Sequence, residues 1–300
     1  MDVGFLTTGL LTGLREGVEA ALIIAIILAY LAKTGNARYF GRIWAGAGAA
    51  IALSIVAGII LWFTLEGLEG AAGQIFEGVT TLLAAAVVTW MLFWMRRTAA
   101  NIRGQLHEGV DRALTEGGVF ALSILAFTAV IREGLETSFF LLGQATAATD
   151  ANAGATSTLV GAFIGILIAV GLGYGFYVGA RVINLQTFFR WTGIALIFIA
   201  AGLLGYAVHE FVEAGVIPFG QSTAFDISGI LPHSGDISET GPILIVGQLL
   251  RALFGYSSTP EWATLIAWAA YIAIVLPLYL RPVKPSEPRP VRSEQPAPTA

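Results

Sequence analysis

Seven runs dominated by apolar residues, at about 5–32, 42–65, 75–95, 117–144, 156–180, 191–213 and 262–281, constrain this 300-residue chain more than any other feature. A helix rises about 1.5 Å per residue, so about 20 apolar residues cover the roughly 30 Å hydrocarbon core of a bilayer. Each run is long enough to span, and a single segment can satisfy its backbone polar groups there only as a helix. The charged fraction agrees. It is 12% here, against about 25% in a soluble domain, too little to cover a globular surface. The expected fold is all-α, a polytopic membrane protein of seven transmembrane helices. The segment 242–254 is apolar but short and carries Arg251, which predicts an interfacial or re-entrant helix. Residues 1–281 then form one transmembrane domain with an outer loop at about 214–261, and the Pro-rich stretch 282–300 reads as a disordered cytoplasmic tail.

Basic residues set the expected orientation. All of the 16 Lys and Arg except Arg15, Arg132 and Arg251 fall on alternate connections: Lys33, Arg38 and Arg42; Arg96, Arg97, Arg103 and Arg112; Arg181 and Arg190; then Arg281, Lys284, Arg289 and Arg292. Positive charge marks the cytoplasmic side. This predicts a multi-pass protein of the cytoplasmic membrane with its N-terminus outside and its C-terminus inside. Met1-Asp2-Val3-Gly4 offers no basic region of the kind that opens a cleaved signal peptide.

Arg15 and Arg132 lie inside the first and fourth runs, and each opens the same short string. One is Arg15-Glu16-Gly17-Val18-Glu19, the other Arg132-Glu133-Gly134-Leu135-Glu136. Three spans separate the copies, and three is odd, so a repeat relating spans 1–3 (about 1–95) to spans 4–6 (about 117–213) is inverted. Counting from the outer ends places both strings about 15–18 Å deep, near the bilayer midplane.

Charge at that depth is expensive, roughly 2.5–3.5 kcal/mol per group on insertion scales. Glu16 stands three residues before Glu19, and Arg15 four before it, so all three can share one helix flank. Arg can hold a carboxylate with two parallel hydrogen bonds, and Gly17 and Gly134 let another helix or an ion approach. Structural ion pairing is the plain alternative, but its stoichiometry is wrong. Four carboxylates face two Arg, and surplus buried negative charge suits a cation site. Oxygen-only ligands select a hard cation such as Mg, Ca, Mn or ferric iron. The residues themselves go no further than that.

The acids divide unevenly. Asp2, Glu66, Glu69, Glu77, Asp150, Glu210, Glu213, Asp226, Asp236, Glu239 and Glu261 fall on the expected outer side. Glu77 at the outer end of span 3 is mirrored by Glu210 and Glu213 at the outer end of span 6, which predicts a ring of outer entry acids, with His209 as a further candidate ligand. Trp44, Trp62, Trp94, Trp191 and Trp262 near span ends suggest an interfacial belt. Gly161 and Gly165, and Gly171, Gly175 and Gly179, recur every fourth residue as close-packing positions.

Other function classes fit less well. No Cys is present, so disulfide and thiolate chemistry are excluded. The net charge of −4, with no basic patch, argues against nucleic acid. A retinal pump needs a lysine in the last span, and residues 262–280 hold none; a general receptor leaves the repeated string unexplained. A metal-dependent membrane enzyme would want His ligands in the spans, and of three His only His209 approaches one. No phosphate-binding loop supports an ATP-driven pump.

The paired R-E-G-x-E strings, with Phe76-Glu77-Gly78, Thr89-Trp90-Met91, His209-Glu210-Phe211 and Glu213, resemble the oxidase-dependent high-affinity iron permease family and its bacterial EfeU-type branch. The resemblance covers about residues 1–280. It implies an iron permease, not an enzyme, importing ferric iron or ferrous iron oxidised on the way, with iron as substrate and no permanently bound cofactor. It implies Glu16, Glu19, Glu133 and Glu136 as the iron-handling residues beside the motif arginines Arg15 and Arg132. It further implies an extracytoplasmic oxidase or peroxidase and an iron-delivery protein as partners, besides membrane lipid. A homo-oligomer and transport of another hard or heavy divalent cation stay open on this reading.

Overall fold

The computed structural model describes residues 2–65, 70–98, 102–115, 117, 120–146, 151–179, 185–233 and 241–281. Among these residues the architecture is helical throughout: α1 (Val3–Lys33), α2 (Phe40–Leu65), α3 (Gly70–Thr98), α4 (Ile102–Thr115), α5 (Ala121–Thr146), α6 (Ala151–Tyr177), α7 (Leu185–Glu213), α8 (Pro242–Phe254) and α9 (Trp262–Leu280). The expected tail 282–300, and Glu66, Glu69, Asp150, Asp236 and Glu239, lie outside the described residues.

Asp2 starts α1, its carboxylate accepting from the Gly4 and Phe5 amides at 2.8 and 3.2 Å, satisfying two of the four amides a helix N-terminus leaves unpaired. The chain leaves α1 through Gly35 at φ 75, a conformation that costs a residue with a Cβ. Helices α2, α3, α6, α7 and α9 are each long and apolar enough to cross a bilayer. Their outward faces carry rows of exposed apolar side chains, such as Ile51, Ile55, Ile59 and Phe63 on α2 and Leu159, Phe163, Leu167 and Val170 on α6. A soluble protein does not present apolar surface on that scale. The chain is a multi-pass membrane protein.

The helices pair in a definite pattern: α1 on α6, α2 on α5, α3 on α7, α7 on α9, and α1 on α5. Small residues make these contacts close. Gly9 and Gly13 of α1 lie against the Thr158 and Ala162 backbone of α6, while Gly161 and Gly165 of α6 lie against the Leu6 and Leu10 carbonyls of α1. Gly46 of α2 sits on the Ser123 backbone of α5. Of the glycines expected to pack, Gly161 and Gly165 therefore do. A Cβ at Gly171 would meet open space, and Gly179 stands beyond the end of α6 at φ 89.

One helix falls outside the apolar runs, and several others begin a few residues away from theirs, α3 at Gly70, α6 at Ala151 and α7 at Leu185. Helix α4 falls in a stretch expected as a connecting loop, because its apolar residues are too few to span. They are nonetheless one turn apart: Leu106 and Val110 are buried, among Ile27, Leu31, Ile43 and Leu122. This is the stripe of a helix lying across the ends of others. Helix α5 begins at Ala121 rather than at 117. The short helix at 242–254 is where the sequence placed it. Gly255, left-handed at φ 69, ends it by donating to the Arg251 carbonyl at 2.8 Å.

Candidate metal centre

Helices α1 and α5 cross in the middle of the bundle, and their strings meet there. In both copies the Arg binds the carboxylate beside it and reaches the one four residues on. Arg15 Nη1 donates to Glu16 Oε1 at 2.5 Å and Nη2 stands 3.2 Å from Glu19 Oε1. Arg132 Nε donates to Glu133 Oε1 at 3.0 Å, with Nη2 on the same oxygen, and lies 3.8 Å from Glu136 Oε1. The glycine between the acids is filled by a neighbouring helix, not by an ion. A Cβ at Gly17 would come 2.8 Å from Ala169 of α6, and one at Gly134 would overlap the Ser54 hydroxyl of α2. Each motif glycine thus seats its helix on the second helix of the other half.

This wiring leaves carboxylate oxygens without hydrogen-bond partners. Glu16, Glu19 and Glu133 are all buried, and one ligand oxygen from each lies within 4.8 Å of the others. Glu16 Oε2, Glu133 Oε2 and Glu19 Oε1 lack a hydrogen-bond partner among the described residues. Glu19 Oε1 is close to Arg15 without hydrogen-bond geometry. An unsatisfied buried oxygen costs about 1–3 kcal/mol, more when charged, and like charges at this separation repel. A multivalent cation between the three removes both penalties. Glu136, the fourth expected ligand, stands outside this group beside Arg132.

The surroundings of the two arginines differ. Arg15 is 2% exposed and its Nη2 meets the Met95 sulfur at 3.2 Å. Arg132 is 36% exposed and lies over the Trp94 ring, 4.2 Å from its centroid. Trp94 was expected in the interfacial belt. It is instead half-buried and pinned to the motif, whereas Trp44, Trp191 and Trp262 are exposed near helix ends.

A cavity of about 240 Å³ lies nearer the N-terminal end of α1, lined by Thr8, Gln144, Tyr206, His209, Arg251 and Glu261 among others. The expected entry acids sit beside it rather than in its wall. Tyr206 donates to Glu77 Oε2 at 3.3 Å, and Glu210, one turn after Tyr206 on α7, lies close enough to interact with both, so the two mirrored acids come together. Glu213 accepts from Gln74 at 2.9 Å. His209 stands 4.0 Å from Glu213 and 3.4 Å from Glu261. In the loop, Asp226 accepts from the Ser228 amide and hydroxyl, which holds its carboxyl below the usual range. His233 meets Ser258 at 2.8 Å; burial, with the Arg251 cation nearby, pushes it down to about 4, so it is neutral near pH 7. Met95, Tyr206, Glu261 and Gln144 were missed as site neighbours. For Gln144 a signal existed, since 11 residues from Glu133 is three helical turns on one face.

A helical membrane bundle with surplus carboxylates buried at its centre has the parts of a cation transporter. The chain matches the iron permease FTR1 family over residues 7–281 and belongs to it. It is 38% identical over 274 residues to the ferrous iron permease EfeU of Escherichia coli O6:H1, covering 90% of this chain and 94% of that one. The ferrous iron permease EfeU of Yersinia pestis is 34% identical over 273 residues, covering 90% and 92%. No solved structure matches.

Proposed function

We propose that this permease imports iron across the cytoplasmic membrane, and that the ion passes through the buried triad Glu16, Glu19 and Glu133, with Glu136 as its adjoining acid. The supporting observation is three buried carboxylate oxygens without a hydrogen-bond partner among the described residues, drawn from both R-E-G-x-E copies, in a chain of the iron permease family. Hard oxygen donors suit ferric iron. Relatives bear the name ferrous iron permease; oxidation outside, by a partner oxidase or peroxidase fed by an iron-delivery protein, reconciles that name with a ferric site. Entry of a trivalent ion gains about 2.3 kcal/mol per charge at 100 mV.

The seven-span topology, N-terminus outside, belongs to the same reading. Helices α1 and α5 have 31 and 26 residues and lie within the bundle, less apolar only for the charges they carry. The pairing supports an inverted repeat. Exchanging α1, α2, α3 for α5, α6, α7 turns the α1–α6 contact into α5–α2 and leaves α3–α7 and α1–α5 unchanged. Glu77, Glu210 and Glu213 then gather cations at the outer face, with His209 beside them.

Radio-iron uptake into liposomes holding the purified protein tests this, with Mn, Zn and Pb as competitors and Glu16→Gln as control. Iron uptake that the competitors do not suppress and that Glu16→Gln abolishes is expected. Equal uptake by that variant, or preference for another metal, refutes the reading.

A further inference from the structure

The route from the cavity to the triad is closed by two uncharged side chains. Following the motif helices toward the N-terminal end of α1, Thr12 lies one turn before Glu16 and Thr8 one turn before that. Gln144 lies three turns beyond Glu133 on α5. Gln144 Nε2 donates to Thr12 Oγ1 at 2.7 Å. Thr12 is fully buried and Gln144 is 3% exposed, yet Gln144 Oε1 has no hydrogen-bond partner among the described residues. Thr8 and Gln144 also line the cavity. The pair therefore stands between the cavity and the carboxylates, with an oxygen left bare among the described residues.

The cavity itself does not hold a cation by charge. Its wall carries one acid, Glu261, against one base, Arg251, and His233 is neutral. His209 stands on Glu261.

We propose that Thr12 and Gln144 form a transit site of neutral oxygens. A hard cation leaving the cavity exchanges water for Gln144 Oε1 and the Thr12 hydroxyl before it reaches the triad. Transport requires a site that is favourable to enter and weak enough to leave. An amide and a hydroxyl meet both conditions, where a further carboxylate would trap the ion. The site rests on the reading of the triad as the central iron site, and it adds a residue that sets rate without setting central affinity.

The test pairs radio-iron uptake, supplied as the ferric citrate complex to liposomes, with equilibrium binding of the same iron to the full-length protein in detergent. Gln144→Leu should lower maximal uptake about tenfold with equilibrium binding unchanged. Gln144→Glu should lower both the half-saturating concentration and the maximal rate, because a charged ligand holds the ion. Thr12→Val, which replaces only the hydroxyl by a methyl, should lower maximal uptake severalfold and decides the matter if Gln144→Leu fails to fold. Parental uptake in Gln144→Leu, or in Thr12→Val where that variant decides, overturns the transit site. So does loss of equilibrium binding in step with uptake, which would make Gln144 a support of the triad. Glu16→Gln and Glu133→Gln run alongside: parental binding in both would refute the triad itself, whereas lost binding there with parental uptake in Gln144→Leu refutes only the transit site.

Discussion

The two copies of R-E-G-x-E share their local wiring and differ in their surroundings. Arg15 is 2% exposed, held by two carboxylates and a methionine sulfur; Arg132 is 36% exposed and rests on Trp94. The first copy gives two carboxylates to the triad and the second gives one, leaving Glu136 with its arginine. Sequence repetition therefore supplies equal parts that packing spends unequally. The contact of α1 with α5 brings the strings together. The helices that close over each copy decide which acids converge.

The sharpest way to break this comparison is at the glutamates. Even outer neighbours of metal ligands cost about 10–100-fold when removed. Glu16→Gln and Glu133→Gln should therefore each lower iron uptake by about 100-fold or more, while Glu136→Gln, outside the triad, should lower it by about tenfold. Equal losses at Glu133 and Glu136 would show that all four acids act as one set. The arginines come next. Arg15→Gln leaves buried carboxylates uncompensated and should destabilise by about 3–5 kcal/mol; Arg132→Gln, partly solvated, should cost about 1 kcal/mol or less. Thermal unfolding in detergent reads the difference, and equal midpoints would remove the distinction between the copies. The smallest effect is expected at Trp94→Leu, which removes a cation–π contact of about 0.5–1 kcal/mol. It should shift the midpoint slightly and leave equilibrium iron binding at the parental level. Loss of binding there would show that the exposed copy needs Trp94 to hold Glu133 in place.

Much of this was legible in the chain. Apolar length placed the long helices, and the short apolar run around Arg251 is a helix, α8. Spacing of three and four put each Arg and its acids on one flank. What spacing leaves open is which way that flank turns. Glu133 and Glu136 lie about 60° apart on a helical wheel, and the approach of α1 decides which of them it meets. Helix α4 escaped because a search for spans rewards unbroken apolar length, whereas Leu106 and Val110 are a narrow stripe in a polar segment. Thr12 and Gln144 carry no charge, so each costs less in a bilayer than a motif residue does, and charge alone does not mark them. Their turn-by-turn spacing from Glu16 and Glu133 was nonetheless visible.

The contact between α1 and α6 has a mechanical consequence. Gly9 and Gly13 on one side and Gly161 and Gly165 on the other bring the two backbones together with no side chain between them. Such a seam has no rotamers to rearrange and no room to slide, so α1 and α6 travel as one strut. Gly46 seats α2 on the Ser123 backbone of α5 in the same way, and Gly134 of α5 sits against the Ser54 side chain of α2. Glu16 and Glu19 ride on the first strut and Glu133 on the second. The triad is thus divided between two struts, and its spacing is set by how they are placed against each other, as the gap of a pair of jaws is set by its two arms.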